Sequence, residues 1–169
     1  MTTDRTDETA SRSPPGGRFG ARLAGVAVAM PAGTPMEFVA GAAIYPLPLA
    51  PGRVAGLMQL RGQPLVVFDP ASVPHADGVI RRHDVLVVGQ PPQAAALLVD
   101  APPEPIPEGR WRVTQGVPAG CAFAAALQAA PVDERSSGPG AGREQPADAA
   151  GEGWHEVDPA RLFVALAGR

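Results

Sequence analysis

Gly56-Leu57-Met58-Gln59-Leu60-Arg61-Gly62-Gln63-Pro64-Leu65-Val66-Val67-Phe68-Asp69 reads as two strands joined by a tight turn, with one arginine at its shoulder. Between Leu60 and Leu65 the chain must reverse. Gly62 supplies a residue free to take φ > 0. Pro64 cannot donate a ladder hydrogen bond, so it belongs at the start of the second strand. Both constraints stiffen the turn and hold Arg61 at its edge. A guanidinium on a rigid mount loses little extra entropy when it pairs with a carboxylate. The block points to a docking surface rather than an active site, although a merely solvated arginine would satisfy the same physics.

The flanks carry more short strands. Phe19–Met30 alternates loosely and predicts one or two strands, bent at Gly25. Met36–Val39 predicts a short strand. Ile44–Gly52 must run extended, because Pro46, Pro48 and Pro51 each bias the preceding residue away from helix. After Asp69-Pro70, residues Ala71–His83 read as a loop and Asp84–Gly89 as a buried strand. Ala94–Asp100 would allow a helix alone, but pairing back on the previous strand makes a hairpin the better reading. Pro102, Pro103, Pro105 and Pro107 predict a stiff extended connection. Arg110–Thr114 reads as another strand and Ala-rich Cys121–Ala130 as one short helix. Trp154–Val157 is a strand. Asp158 then caps a helix that has Pro159 at its first position and Leu162, Phe163 and Leu166 on one face.

Two segments have little to bury. Residues 1–17 are polar and read as a disordered tail, and 131–153 contain no Leu, Ile, Met or aromatic residue and read as a flexible insertion. Residues 18–169 then form a single domain. Many short strands between turn signals argue a mainly β barrel or sandwich.

Composition agrees. Of 169 residues, 45% are hydrophobic but only 5% aromatic, so Val, Leu and Ala must build the core. Gly (20) and Pro (21) approach a quarter of the chain, which breaks helices and favours turns. The net charge of −3, with no basic block, argues against nucleic-acid binding. The start lacks a secretory signal, no solid apolar run suits a membrane span, and the single cysteine fits a reducing cytoplasm.

No catalytic set is well formed. His75, His83 and His155 are far apart, lack ligand spacing and read as exposed loop residues. Asp69 and Asp100 each end an apolar strand and read as turn residues rather than a carboxylate pair. Cys121 sits among alanines, where a buried thiol is inert. Gly138–Arg143 lacks the Gly-Lys-Ser/Thr ending of a phosphate loop. No cofactor or metal site is expected.

Three blocks together carry a resemblance: Ile44–Pro51, Val54–Gly62 with its Leu60-Arg61-Gly62 ending, and Pro64–Asp69. They resemble the signature of the CheW-like domain family, which runs Pro-x-Ala-Pro, then Val-x-Gly-Leu-x-Asn-Leu-Arg-Gly, then Pro-Val-x-Asp-Leu. Glu37-Phe38-Val39, Leu97–Asp100 and Trp154–Asp158 resemble weaker elements of the same family. The Phe19–Met30 start and the late Trp154 look like PilI-like variants found with type IV pilus systems. Gln59 stands where Asn is usual, Pro35 replaces an apolar residue and Asp69-Pro70 replaces Asp-Leu.

The resemblance implies two small SH3-like five-stranded β-barrels packed together, with a short C-terminal helix. It implies a non-enzymatic adaptor that links the cytoplasmic tip of methyl-accepting chemoreceptors to the regulatory domain of a CheA-type histidine kinase. It places Arg61 and Glu37 in protein-binding or fold-maintaining contacts and makes Gly56 and Gly62 structural turn residues. The alternative is a diverged stand-alone β-barrel module that binds a peptide or small ligand.

Overall fold

Short apolar runs between turn residues become ten strands and one α-helix among the described residues. The computed structural model describes residues 17–71, 79–106, 119–128 and 153–168. The tail, the 131–153 insertion (save Gly153) and the Arg110–Thr114 strand lie outside the described residues. In chain order the elements are β1 (Arg18–Leu23), β2 (Val26–Ala29), β3 (Met36–Ile44), β4 (Val54–Leu60), β5 (Gln63–Phe68), β6 (Arg81–Val88), β7 (Ala95–Leu98), β8 (Glu104–Ile106), β9 (Leu127–Gln128), β10 (His155–Val157) and α1 (Pro159–Leu166).

The architecture is mainly β, in two five-stranded units. One sheet has the order β8-β1-β2-β10-β9, the other β3-β6-β7-β5-β4. The second unit closes on itself. Tyr45, just past β3, pairs with Leu57 of β4 through two backbone hydrogen bonds of 2.8 Å. Its interior holds Ala42, Ile44, Met58, Leu65, Val67, Val85, Val87 and Ala96. In the first unit no ladder joins β8 to β9 among the described residues.

A second core lies between the units. Leu23, Val28 and Met30 of the first sheet meet Phe68, Leu86, Val88 and Leu97 of the second, together with Phe123, Leu162 and Leu166. This explains the unbroken apolar run Val85–Val88. Val85 and Val87 face the barrel interior, Leu86 and Val88 face the shared core, and all four are buried.

The chain departs from its sequence pattern where side chains rescue the backbone. β3 runs nine residues, well past Val39, across a register shift between Val39 and Ala42. There Gly41 takes φ 58, its N–H goes to Asp84 Oδ1 (2.9 Å), and its carbonyl accepts from Arg82 (3.1 Å). Both polar groups that the bulge removes from the ladder thus find partners. β6 correspondingly starts at Arg81, so Arg81–His83 are strand, not loop.

Three further expectations are corrected. The proline-rich connection contains β8, which pairs with β1 at Arg18–Ile106 and Gly20–Glu104. Pro105 is tolerated because β8 is a sheet edge. The described part of the Ala-rich Cys121–Ala130 segment, residues 121–128, forms a single 3-10 turn, Ala124–Ala126, followed by β9. Burial of Phe123 and Ala126, pairing of Leu127 with Val157, and the Asp158 N–H donating to the Ala126 carbonyl (2.9 Å) override alanine's helix propensity. His155 is buried on β10 and His83 half-buried on β6, so neither is an exposed loop residue; His75 lies outside the described residues.

Trp154 is core, as its scarcity suggests. It packs with Ala29 and Ile106, and its ring covers Gly20 so closely that no Cβ fits there. The helix forms as Asp158 and Pro159 dictate. Asp158 Oδ1 accepts from the Ala160 N–H (2.9 Å) and the Arg161 N–H (3.1 Å). Leu162 and Leu166 are buried, and the Phe163 ring lies 5.7 Å from Phe68. Asp158→Ala removes this cap and lowers stability by about 1 kcal/mol, read from the urea midpoint.

Candidate functional site

The β4–β5 turn is a two-residue hairpin. Leu60 pairs with Gln63, leaving Arg61 and Gly62 as the central residues. Their φ values are 49° and 82°, so both occupy the left-handed region, as a type I′ turn demands. The same turn joins β1 to β2, with Ala24 (φ 50) and Gly25 (φ 79). There the Gly25 N–H donates to Asp100 Oδ2 at 2.7 Å, so Asp100 braces a turn distant in sequence. Asp69 makes its own Asx turn, accepting from the Ala71 N–H at 2.8 Å.

Gly62 sits where its freedom is needed. Gly56 does not lie in a turn. It stands inside β4, at the register shift after Val54, with φ 148. A Cβ there would strike the Tyr45 carbonyl, one of the groups that closes the barrel. Glycine is required at this position by close backbone approach rather than by chain reversal.

Arg61 and Glu37 come together. The Arg61 guanidinium donates to Glu37 Oε1 at 2.9 Å, joining the hairpin tip to β3. Glu37 stands opposite Val87, whose side chain faces the barrel interior, so the carboxylate sits at the barrel's mouth. The two side chains are 76% and 36% exposed, which limits the pair to roughly 0–1 kcal/mol of stability. Glu37→Gln accordingly shifts the free energy of unfolding by less than about 1 kcal/mol, and added salt should shrink even that difference.

Backbone strain gives Arg61 a second meaning. A non-glycine residue in the left-handed region costs roughly 1–2 kcal/mol. The exposed pair returns no more than that. Arginine is therefore a poor structural choice for this turn position, and sequence reasoning assigned positive φ to Gly62 alone. A two-residue x-Gly turn between alternating strands was the signal that Arg61 must share it.

Beneath the pair lies a cleft of about 290 Å³. Met36, Leu60, Leu65, Val87, Pro91 and Ala94 line it, with Glu37 and Arg61 at the rim. The short side chain of Ala94, just before β7, is part of this lining. Only the packed structure reveals it.

The barrel's outer surface carries exposed apolar side chains. Among the described residues, six of the seven exposed large hydrophobic residues are Tyr45, Leu47, Leu49, Val66, Val79 and Ile80, all from this unit or its connections. Tyr45 bridges Leu57, and Leu57 pairs with Val66, which makes a cross-strand row. Clustering of this kind marks surfaces that contact other proteins. Among the described residues, no three His, Cys, Asp or Glu side chains group as metal ligands, and no helix is long and apolar enough to cross a membrane.

No described protein family matches the chain, and no curated protein matches it in sequence. Among solved structures, it is similar to the scaffolding protein TtCheW from Thermoanaerobacter tengcongensis. The identity is 21% over 70% of this chain and 79% of that one, with a TM-score of 0.48.

Proposed function

We propose that the chain is a non-enzymatic adaptor of a bacterial chemosensory complex. It couples the cytoplasmic tips of methyl-accepting chemoreceptors to the regulatory domain of a CheA-type histidine kinase, in chemotaxis or in pilus-driven twitching motility. The carrying observation is Arg61, a charged side chain kept at a turn position that disfavours it and fixed beside Glu37 on a rigid hairpin. Residues held in such backbone cluster at contact and functional sites, and where the equivalent β1–β2 turn carries Ala24, this one carries a charge. The apolar row Tyr45–Leu57–Val66 supplies a second docking element on the same barrel. The resemblance of the Ile44–Pro51, Val54–Gly62 and Pro64–Asp69 blocks to the CheW-like signature supplies the identity of the partners.

Co-sedimentation tests the reading. A kinase fragment bearing the regulatory domain should sediment with receptor-containing membranes when the chain is added and stay in solution without it. A kinase distribution unchanged by the chain contradicts the proposal.

A further inference from the structure

We infer that the mouth of the second barrel is an anchor pocket for one apolar side chain of an acidic partner segment, whose carboxylate takes Arg61 from Glu37. The inference rests on the adaptor reading, because it assumes that Arg61 faces a protein partner. It goes further by naming the chemistry of the segment and the place where it seats.

Size admits the occupant. A pocket for a whole small molecule runs from about 300 Å³ upward. At about 290 Å³ the cleft stands at the bottom of that range, and it has room for a leucine- or methionine-sized side chain. Its lining is mostly apolar, with Met36, Leu60, Leu65, Val87, Pro91 and Ala94, and Gln63 and Gln90 add amides beside the charged pair. Burying such a side chain there contributes roughly 1.5–3 kcal/mol.

Charge selects its neighbour. Both signs are present at the rim, but unequally. The Arg61 side chain is 76% exposed, twice as open as that of Glu37 at 36%. The charge an arriving chain meets first is positive. Only one hydrogen bond ties the guanidinium to Glu37, while its fork can hold a carboxylate with two. An incoming Asp or Glu beside the apolar anchor can match that fork and replace the weak internal pair. The internal pair then acts as a latch: it keeps the guanidinium over the cleft until a better acceptor arrives.

A nuclear magnetic resonance titration of the full chain tests this. The probes are three acetylated, amidated tetrapeptides: alternating Glu-Leu, alternating Gln-Leu, and alternating Glu-Ala. The first should give saturable amide shifts centred on Met36, Leu60, Arg61 and Ala94. Each of the other two should bind about tenfold or more weakly, the equivalent of 1.4 kcal/mol. Ala94→Leu fills the cleft and should abolish the shifts while the remaining spectrum stays folded. Should that variant not fold, the three-peptide comparison on the natural chain decides alone. Absence of saturable shifts, equal binding of all three peptides, or full affinity in a folded Ala94→Leu chain overturns the proposal. A chain that recruits the kinase to receptors yet ignores the Glu-Leu peptide defeats the pocket and leaves the adaptor reading intact. Peptide binding at the cleft without kinase recruitment supports the pocket and defeats the adaptor reading.

Discussion

Gly56→Ala lowers the stability of the chain by about 3 kcal/mol, the upper end of the cost of forcing extra volume into a packed site. The new methyl group would strike the Tyr45 carbonyl, and the strand backbone already sits at φ 148. Relief requires Tyr45 and Leu57 to separate. That sacrifices two backbone hydrogen bonds of 2.8 Å, each worth about 1 kcal/mol, and opens the barrel along β3 and β4. Gly62→Ala is the control. Its φ of 82° makes alanine strained, but nothing lies within 4 Å of the added group, so the cost stays near 1–2 kcal/mol. Urea unfolding of both variants checks the difference. Equal midpoints for the two would mean that the Tyr45–Leu57 closure is dispensable.

Arg61→Gly separates fold from function. Glycine accepts the left-handed turn without strain, and the lost ion pair was exposed and weak. Stability is therefore unchanged, or higher by about 1 kcal/mol. Affinity for the partner falls by about 2 kcal/mol, the loss typical of an interface arginine, which is about 30-fold. Arg61→Lys should not restore it, because an ammonium cannot reproduce the two-point contact of a guanidinium. A chain that loses stability with Arg61→Gly, yet binds as before, would make Arg61 a structural residue.

Much of this was legible in the sequence because the relevant signals are local. Leu60 to Leu65 had to turn, and Gly62 named the residue that permits it. Asp158 and Pro159 announced the helix start, and alternating burial placed most strands. What the sequence hid depends on groups distant along the chain. The β3 bulge exists because Asp84 and Arg82 reach Gly41 from another strand. Gly56 was read as a turn residue because its true constraint, the Tyr45 carbonyl, is eleven residues away. Alanines between Cys121 and Ala130 suggested a helix, while packing of Phe123 and pairing with β10 chose otherwise. Burial of His155 depends on β10 lying in parallel beside β2, which no local pattern announces.

The candidate site divides along the same line. Arg61 was visible as a rigidly mounted charge, and Glu37 was named with it only through the family resemblance. Their 2.9 Å contact, the cleft below them and the left-handed backbone of Arg61 emerge only when β3, the hairpin and the β6–β7 connection meet at one end of the barrel. Exposed Tyr45, Leu47 and Leu49 fall in a segment that the prolines marked merely as extended. The apolar row that Tyr45 joins comes from the register that sets it beside Leu57, and Leu57 beside Val66.

Calorimetric titration of the intact chain against the kinase regulatory domain and, separately, a receptor tip fragment tests the adaptor assignment most directly. Saturable binding to at least one, weakened about 30-fold by Arg61→Gly with the fold preserved, is the expected result. No binding to either at high micromolar protein, or binding that is indifferent to Arg61, contradicts it.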